Sequence, residues 1–290
     1  MKLATVSWKD STSAAVVLGE RVAAVRQLKG REQAADVLSL IHKPLSEDEL
    51  RQLKDMTSPA PAAWLPPILL PPKNLLCVGK NYMEHVKEFD KAWGLAKTEV
   101  PPSPMWFSKP HTCLVGAGAA INHDSEFTKQ LDYEAELTVV MGAKCRKVKA
   151  EAALDYVFGY TILNDVTARN VQHGRKQWFT GKSADTYGPC GPWVVTRDEI
   201  PDPQQLNLRT LVNGEVRQNA NTCDMIFGVR ALIADISQGM TLEPGDMIAT
   251  GTPVGVAWGM DPAPYLVPGD EVVVEIEKIG RLWNRVTAAK

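Results

Sequence analysis

Cysteine is scarce in this 290-residue chain, and its spacing excludes two common roles of cysteine. The five cysteines are scattered and no two form a Cys-x-x-Cys pair; they are Cys77, Cys113, Cys145, Cys190 and Cys223. Structural zinc sites use such pairs, and an odd, dispersed set gives no disulfide framework. We therefore expect reduced thiols and a cytoplasmic protein.

Long apolar runs and an excess of charge of one sign are also absent. No apolar stretch approaches the roughly 20 residues that span a bilayer. The first residues, MKLATVSWKD, lack the apolar region of a secretory signal. The net charge is −2 and no long basic run is present, whereas nucleic-acid-binding proteins carry a basic patch. We expect the chain to bind neither membranes nor nucleic acids.

Prolines are concentrated in one segment. Residues 58–74, SPAPAAWLPPILLPPKN, contain six prolines, which interrupt helices and central strands. This segment predicts a boundary between a small N-terminal α+β domain, residues 1–70, and a catalytic domain, residues 71–290. The catalytic part has many strand-like runs, a hairpin signal in VNGE at 212–215 and few helices, expected near 81–93 and 227–239. Strands without regular βα alternation indicate an α+β fold.

Two glutamates raise the first functional question. The stretch LDYEAELTVV, residues 131–140, alternates as one strand would, so that Glu134 and Glu136 share a face. Such a pair is most often solvated, and Asp165, at the end of the strand-like GYTILND, would ordinarily cap a helix. Three carboxylates from two strand ends can instead bind one hard cation. The spacing leaves both interpretations open.

Six motifs occur in a fixed order: GKNYMEH (79–85), DYEAEL (132–137), GYTILNDVTAR (159–169), GKSADTYGPCGPWVVT (181–196), DMIFGVRALIADISQGMTLEPGD (224–246) and TGTPVGV (250–256). Together they resemble the catalytic domain of the fumarylacetoacetate hydrolase family, over residues 73–290. The resemblance implies a strand-rich, rolled mixed β-sheet with a metal site at its mouth, and a homodimer. It also implies that Glu134, Glu136 and Asp165 bind Mg²⁺ or Mn²⁺, and a role in aromatic catabolism.

The resemblance also implies a catalytic pair. His85 and Glu88 lie at i and i+3 of the expected helix, on one face. By itself the spacing is typical of a surface pair. In the family, a histidine and a glutamate at these positions lie in a segment that orders over the substrate. The carboxylate would fix the tautomer of the imidazole and make it a better base. The polar run 87–102 then suits a mobile lid.

The remaining candidates would bind charge. Lys182 follows Gly181, and the resemblance directs it at a substrate carboxylate or oxyanion. Arg169 can pair with a metal-site carboxylate or with the substrate, and the sequence does not decide. Gly251 and Thr252 lie in a loop that would hold a carboxylate. Cys223 stands where relatives often have serine, and we assign it no role.

These features predict metal-assisted hydrolysis of a C–C bond in an acylpyruvate-type 1,3-diketo acid, which releases pyruvate and a carboxylic acid. His85, held by Glu88, would activate the water. The partner would thus be a small 2-oxo or diketo acid. The same metal site can serve an oxaloacetate decarboxylase or a 2-oxo-diene-dioate isomerase or hydratase, and the sequence does not separate these. A non-catalytic metal-binding module would need neither the His–Glu pair nor Lys182.

Overall fold

The computed structural model describes residues 1–59, 61, 63–92 and 99–289. The strands of this part are β1 Lys2–Trp8, β2 Ser11–Leu18, β3 Arg21–Ala24, β4 Trp64–Leu65, β5 Leu75–Gly79, β6 Met105–Lys109, β7 Leu114–Val115, β8 Ala120–His123, β9 Leu131–Asp132, β10 Ala135–Met141, β11 Val157–Asn164, β12 Thr167–Ala168, β13 Gly188–Thr196, β14 Asn207–Val212, β15 Glu215–Asn221, β16 Met247–Ala249, β17 Glu271–Ile276 and β18 Gly280–Ala288. The helices are α1 Val37–His42, α2 Glu47–Asp55, α3 Met83–Ala92, α4 Arg169–His173, α5 Phe179–Lys182 and α6 Val229–Ile236. None of these helices has the length and apolarity needed to cross a bilayer.

Two large sheets dominate the fold. The larger has eleven strands, with the order β3-β2-β1-β13-β11-β10-β16-β5-β6, while β4 pairs with β1 and β7 with β13. A five-stranded sheet has the order β15-β14-β17-β18-β8, and β9 and β12 form a separate pair. Both large sheets are mixed, since β16–β5 and β18–β8 are parallel and most other pairs are antiparallel. The predicted strand-rich α+β class is confirmed.

The central strands are buried on both faces. All seven residues of β10 are buried, as expected of a strand covered on two sides. One face packs against the five-stranded sheet through side chains such as Leu137 and Val274. The other face packs against α1 and α2, with Val140, Leu40 and Leu53 in one cluster. Burying each such side chain contributes about 1.5–3 kcal/mol, so this core fixes the ends of β10 and β11.

The N-terminal segment joins the main sheet directly. Strand β1 is hydrogen-bonded to β13, with Leu3 opposite Val194 and Ala4 opposite Trp193. The proline-rich segment contributes β4, which pairs with β1 beyond the residues that pair with β13, at Thr5 and Val6. The domain boundary near residue 70 stays a prediction, although the first seventy residues and the remainder share one continuous sheet.

Several local predictions can be compared with the structure. The VNGE hairpin is present, with Asn213 and Gly214 both at positive φ, 51° and 82°, as a type I′ turn requires. The helix expected over 81–93 is α3. The predicted single strand over 131–140 is wrong, because it is interrupted at Tyr133 and Glu134 between β9 and β10. Of the proposed lid, residues 93–98 lie outside the described residues.

Candidate metal centre and active site

Three buried carboxylates meet where β10 and β11 lie side by side. Glu136 belongs to β10, Glu134 directly precedes it, and Asp165 directly follows β11. The antiparallel register that places Ala135 opposite Asn164 brings these ends together. The three side chains each offer one oxygen atom, and these atoms lie within 4.8 Å of one another. Asp165 does not cap a helix, because the cap residue of α4 is a different one.

Positive side chains surround this carboxylate cluster. Lys182 Nζ, at the end of α5, lies 2.7 Å from both Glu134 Oε2 and Asp165 Oδ2. Lys109 Nζ lies 2.7 Å from Asp165 Oδ1. Arg169 Nη1 lies 2.7 Å from Glu134 Oε1. All five side chains are buried, and buried charges persist only when they are paired.

The same charges move the pKa values of the cluster in opposite directions. Burial raises the pKa of Glu136 well above its ordinary value, and the negative charges of Asp165 and Glu134 raise it further. Burial also acts to raise the pKa of Glu134, but the positive charges of Lys182 and Arg169 prevail and lower it to about 2. The pKa of Lys182 is raised although burial opposes this, because Asp165 and Glu134 stabilise the ammonium. Glu136 is thus the carboxylate whose negative charge is least compensated by nearby positive charge.

The donor set fits a hard divalent cation. All three candidate ligands are carboxylates, which Mg²⁺ and Mn²⁺ prefer. Glu136 accepts a hydrogen bond from the Gly251 amide at 2.9 Å, but no ion pair of the described residues includes it. Asp165 Oδ1 accepts no hydrogen bond of good geometry from any described residue. A dication here would supply positive charge to Glu136 and would bind this oxygen, which otherwise has the Lys109 ammonium beside it.

His85 and Glu88 form a hydrogen-bonded pair on α3. His85 Nδ1 lies 3.0 Å from Glu88 Oε2. Glu88 Oε1 accepts a hydrogen bond from the Gly255 amide at 3.1 Å. Glu88 also lies so close to Gly259 that a Cβ atom there would be 2.2 Å from its carboxylate carbon. Glu88 is therefore held through both oxygens, and Nε2 is the nitrogen of His85 left for proton transfer.

A small cavity joins the His–Glu pair to the carboxylate cluster. Its volume is about 20 Å³, room for about one water molecule. The polar residues that line it are Lys80, His85, Glu134, Arg169, Gln172, Lys182 and Thr252. The structure therefore brings the predicted base, one predicted metal ligand and two predicted cations to one space.

The residues predicted to bind substrate already have partners within the protein. Arg169 is 1% exposed, and its Nε donates to Asp132 Oδ2 at 2.8 Å. The amide of Gly251 donates to Glu136, as described above. The Thr252 hydroxyl accepts a hydrogen bond from a buried glutamine at 2.8 Å. Arg169 and Thr252 line the cavity, and the substrate-binding roles of all three stay predictions.

Two buried residues at the site were missed by sequence reasoning. Asp132 accepts hydrogen bonds from the amides of Ala257 and Trp258, at 2.9 and 3.1 Å, in addition to its bond with Arg169. It alternates with apolar residues in 131–140, as the two glutamates do, and this pattern could have indicated that Asp132 belongs to the site. Lys109 is a single lysine in a strand, outside every motif, and no sequence signal pointed to it.

Comparisons with known proteins agree with this geometry. The family model described as Fumarylacetoacetate (FAA) hydrolase C-terminal matches residues 74–287. Over 220 residues, the chain is 46% identical to oxaloacetate tautomerase YisK of Bacillus subtilis, a match that covers 76% of this chain and 71% of that protein.

Solved structures agree along the whole chain. A fumarylacetoacetate hydrolase from psychrophilic Exiguobacterium antarcticum is similar with a TM-score of 0.84 and 38% identity, and the match covers 100% of both chains. The maleylpyruvate hydrolase of Sphingobium sp. SYK-6, in complex with manganese(II) and pyruvate, is similar with a TM-score of 0.79 and 28% identity, again over 100% of both chains.

Proposed function

The chain belongs to the fumarylacetoacetate hydrolase family, and we propose that it is a divalent-metal-dependent hydrolase of acylpyruvate-type 1,3-diketo acids. The reaction cleaves a C–C bond with water and releases pyruvate and a carboxylic acid. The observation that carries this proposal is the hydrogen-bonded His85–Glu88 pair, with Nδ1 and Oε2 3.0 Å apart, because His85 lines the same cavity as Glu134. Hydrolysis requires such a base beside the bound substrate.

The cation would be held by Glu134, Glu136 and Asp165. When bound, Mg²⁺ or Mn²⁺ acts as a Lewis acid that polarises substrate oxygens, an effect worth several kcal/mol. The manganese ion and pyruvate of the Sphingobium maleylpyruvate hydrolase complex support this assignment. The all-oxygen donor set supports either metal.

The chain's own side chains supply the proton transfer and the charge. His85 accepts a proton from water through Nε2, while Glu88 holds Nδ1 and stabilises the imidazolium. The water oxygen bonds to the distal ketone carbon, the adjoining C–C bond breaks, and its electron pair leaves with pyruvate as an enolate, which then takes up a proton. Lys182 and Arg169 carry positive charge on the cavity and would stabilise the developing negative charge.

The similarity to oxaloacetate tautomerase YisK favours a second candidate, tautomerisation of oxaloacetate. Tautomerisation, decarboxylation of oxaloacetate and isomerisation of 2-oxo-diene-dioates all pass through an enolate or enol of a 2-oxo acid, as the proposed hydrolysis does. Hydrolysis differs from these three reactions in that it consumes water. The His85–Glu88 pair would activate that water, and the same base could move the proton in a tautomerisation or isomerisation.

A substrate panel tests the proposal. The Mg²⁺-loaded protein is given acetylpyruvate, fumarylpyruvate and oxaloacetate, and loss of enol absorbance and formation of pyruvate are measured together. We expect acylpyruvates to yield one pyruvate for each enol lost, and EDTA to stop the reaction. Loss of oxaloacetate enol without pyruvate would favour the tautomerase. Formation of pyruvate from oxaloacetate, with none from the two acylpyruvates, would favour the decarboxylase.

A further inference from the structure

One side of the active-site cavity is apolar. Its lining there consists of Val78, Gly79, Phe107 and Trp178. Phe107 lies on β6, and Trp178 directly precedes α5, the helix that ends with Lys182. The two rings meet edge to face, with centroids 5.5 Å apart and an interplanar angle of 72°. Phe107 and Trp178 together form the aromatic wall of the cavity.

The indole of Trp178 lies directly against the backbone of Gly79. A Cβ atom at residue 79 would be 2.1 and 2.7 Å from two carbons of the indole ring. Gly79 ends β5, pairs with Met105 of β6 and has no positive φ, so its backbone conformation does not require glycine. Glycine in a strand often marks a close approach by another group. Here the approaching group is the Trp178 ring.

The Lys182 side chain lies between the aromatic wall and the proposed metal site. Lys182 Nζ lies 5.3 Å from the centroid of the Phe107 ring, and the same atom lies 2.7 Å from Glu134 and Asp165. The carbon chain of a bound 2-oxo acid would therefore extend beside these rings. Trp178 is part of the wall of this small cavity, so a longer chain on this side would press against its indole.

We propose that Trp178 is the specificity-determining residue for the acyl end of the substrate, and that it makes the protein prefer 2-oxo acids with short chains. This inference rests on the proposed function for its ligand class, but not on which reaction follows binding. Removal of the indole opens apolar space, in which each further methylene group gains about fourfold in affinity.

Calorimetric titration of the Mg²⁺-loaded protein with pyruvate, 2-oxobutyrate, 2-oxopentanoate and 2-oxohexanoate tests the inference. We expect the affinity of the wild type to fall along this series, and that of Trp178→Ala to rise about fourfold per methylene for at least two steps. Phe179→Ala is the matched control, because Phe179 is the next residue, is 44% exposed and does not line the cavity. It should keep the wild-type order.

The contradicting results are distinct from failure of the proposed function. An equal change for all four acids in Trp178→Ala, or the same reversal in Phe179→Ala, would overturn the role of Trp178. If the chain-length preference shifts as expected while no acylpyruvate is cleaved, the inference stands and the hydrolase assignment fails.

A second measurement covers the case in which Trp178→Ala binds poorly. Gly79→Ala should lower the midpoint of thermal unfolding in the wild type, because the new methyl group collides with the indole. In a Trp178→Ala background the same substitution should have much less effect. An equal fall of the unfolding midpoint in both backgrounds would show that contact with the Trp178 ring is not the reason that residue 79 is glycine. It would overturn the packing on which the inference depends.

Discussion

Glu136 is the residue whose charge the protein leaves least compensated. Burial and two neighbouring carboxylates raise its pKa, and its one described partner is the Gly251 amide. Lys182 instead stands between Glu134 and Asp165. The three carboxylates are therefore not equivalent, and we expect Glu136 to contribute most to the binding free energy of a cation.

Glu136→Gln should remove the response to metal without unfolding the protein. The amide oxygen can still accept from Gly251, so the metal-free variant should be at least as stable as the wild type. Mg²⁺ at 100 times its dissociation constant should stabilise the wild type by about 2.7 kcal/mol and the variant hardly at all. Thermal unfolding in EDTA and in Mg²⁺ measures both. Glu243→Gln, at a partly exposed surface pair, is the control, and an unchanged Mg²⁺ response in Glu136→Gln would contradict the site.

His85→Ala should separate chemistry from binding. We expect kcat to fall by roughly 10²–10⁴, the loss of a general base, with little change in KM. Binding of Mg²⁺ and of oxalate, which mimics a pyruvate enolate, should persist. Glu88→Ala should lose less activity, and the double variant should be no worse than His85→Ala because the two act as a unit. Loss of oxalate binding would instead make His85 a ligand or a structural residue.

Gly259→Ala tests how Glu88 is held. Its Cβ atom would lie 2.2 Å from the Glu88 carboxylate carbon, so Glu88 must move and His85 loses its partner. Activity should fall to that of Glu88→Ala, with Mg²⁺ binding unchanged and no further loss when the two substitutions are combined. Gly239→Ala, where nothing lies within 4 Å of the new atom, should behave as the wild type. Full activity of Gly259→Ala would show that the contact between residue 259 and Glu88 does not fix the position of the Glu88 carboxylate.

At the scale of elements, the alternation of 131–140 predicted the shared face but not the break. Side chains replace the ladder at this point, because the Tyr133 amide donates to Asp132 Oδ1 at 2.8 Å and the Glu134 amide donates to Asn164 Oδ1 at 3.0 Å. Hydrogen bonds from side chains to backbone amides compete with sheet pairing. Alternation does not reveal them, because their acceptors include a residue thirty positions away.

Helix α2 was missed although its signal was present. Ser46 and Glu49 form a capping box, in which each side chain accepts from the other residue's amide. Glu49 also makes a two-fold ion pair with buried Arg31, at 2.6 and 2.8 Å. Arg31 lies on another segment of the chain. The capping box could therefore be predicted from the sequence, but the ion pair with Arg31 could not.

The Arg31–Glu49 pair predicts a pH dependence of stability. The hydrogen bond from Arg31 is the main cause that lowers the pKa of Glu49 to about 2, below its unfolded value of about 4.3. The stabilisation is therefore complete above about pH 4.3 and is lost as the pH falls towards 2. Glu49→Gln should lose about 1.5–3 kcal/mol at pH 7 and progressively less below pH 4.

Urea unfolding at pH 7 and pH 3 measures this difference. Asp48→Asn is the matched control, because Asp48 is the preceding residue and its pair with Arg51 is exposed at the surface. It should be close to the wild type at both values. A deficit of Glu49→Gln that stays constant with pH would contradict an ionised pair.

At the scale of the whole molecule, the site combines segments that are far apart in sequence. Motifs placed most of its residues, because His85, Glu134, Asp165 and Lys182 each belong to one. Lys109 belongs to none, and its role follows only from the pairing of β5 with β6, which carries it to the carboxylates. Partners that the sheet topology brings together leave no local pattern, and so they could not be predicted.

Assembly is a proposal at this scale. We expect a homodimer at micromolar concentration by sedimentation velocity, formed through the strand-rich part. Trp283 of β18 is 37% exposed, more than a large aromatic residue usually is. Trp283→Glu should therefore weaken the dimer, whereas Leu70→Glu, at a residue 66% exposed in the proline-rich segment, should not. A monomeric wild type would refute the proposal.

The pairing of β1 with β13 has a consequence for synthesis on the ribosome. The β1 strand ends at Trp8, and its partner begins at Gly188, about 180 residues later. At about 5–20 residues per second, the first strand waits roughly 10–40 s before its partner emerges. During that interval β4 can pair with Thr5 and Val6 of β1, but Lys2, Leu3 and Ala4 leave part of that edge of the β1–β2–β3 meander unpaired, and an unpaired edge favours aggregation. The large sheet is completed late in translation, and a chaperone that shields the meander would raise the yield of folded protein.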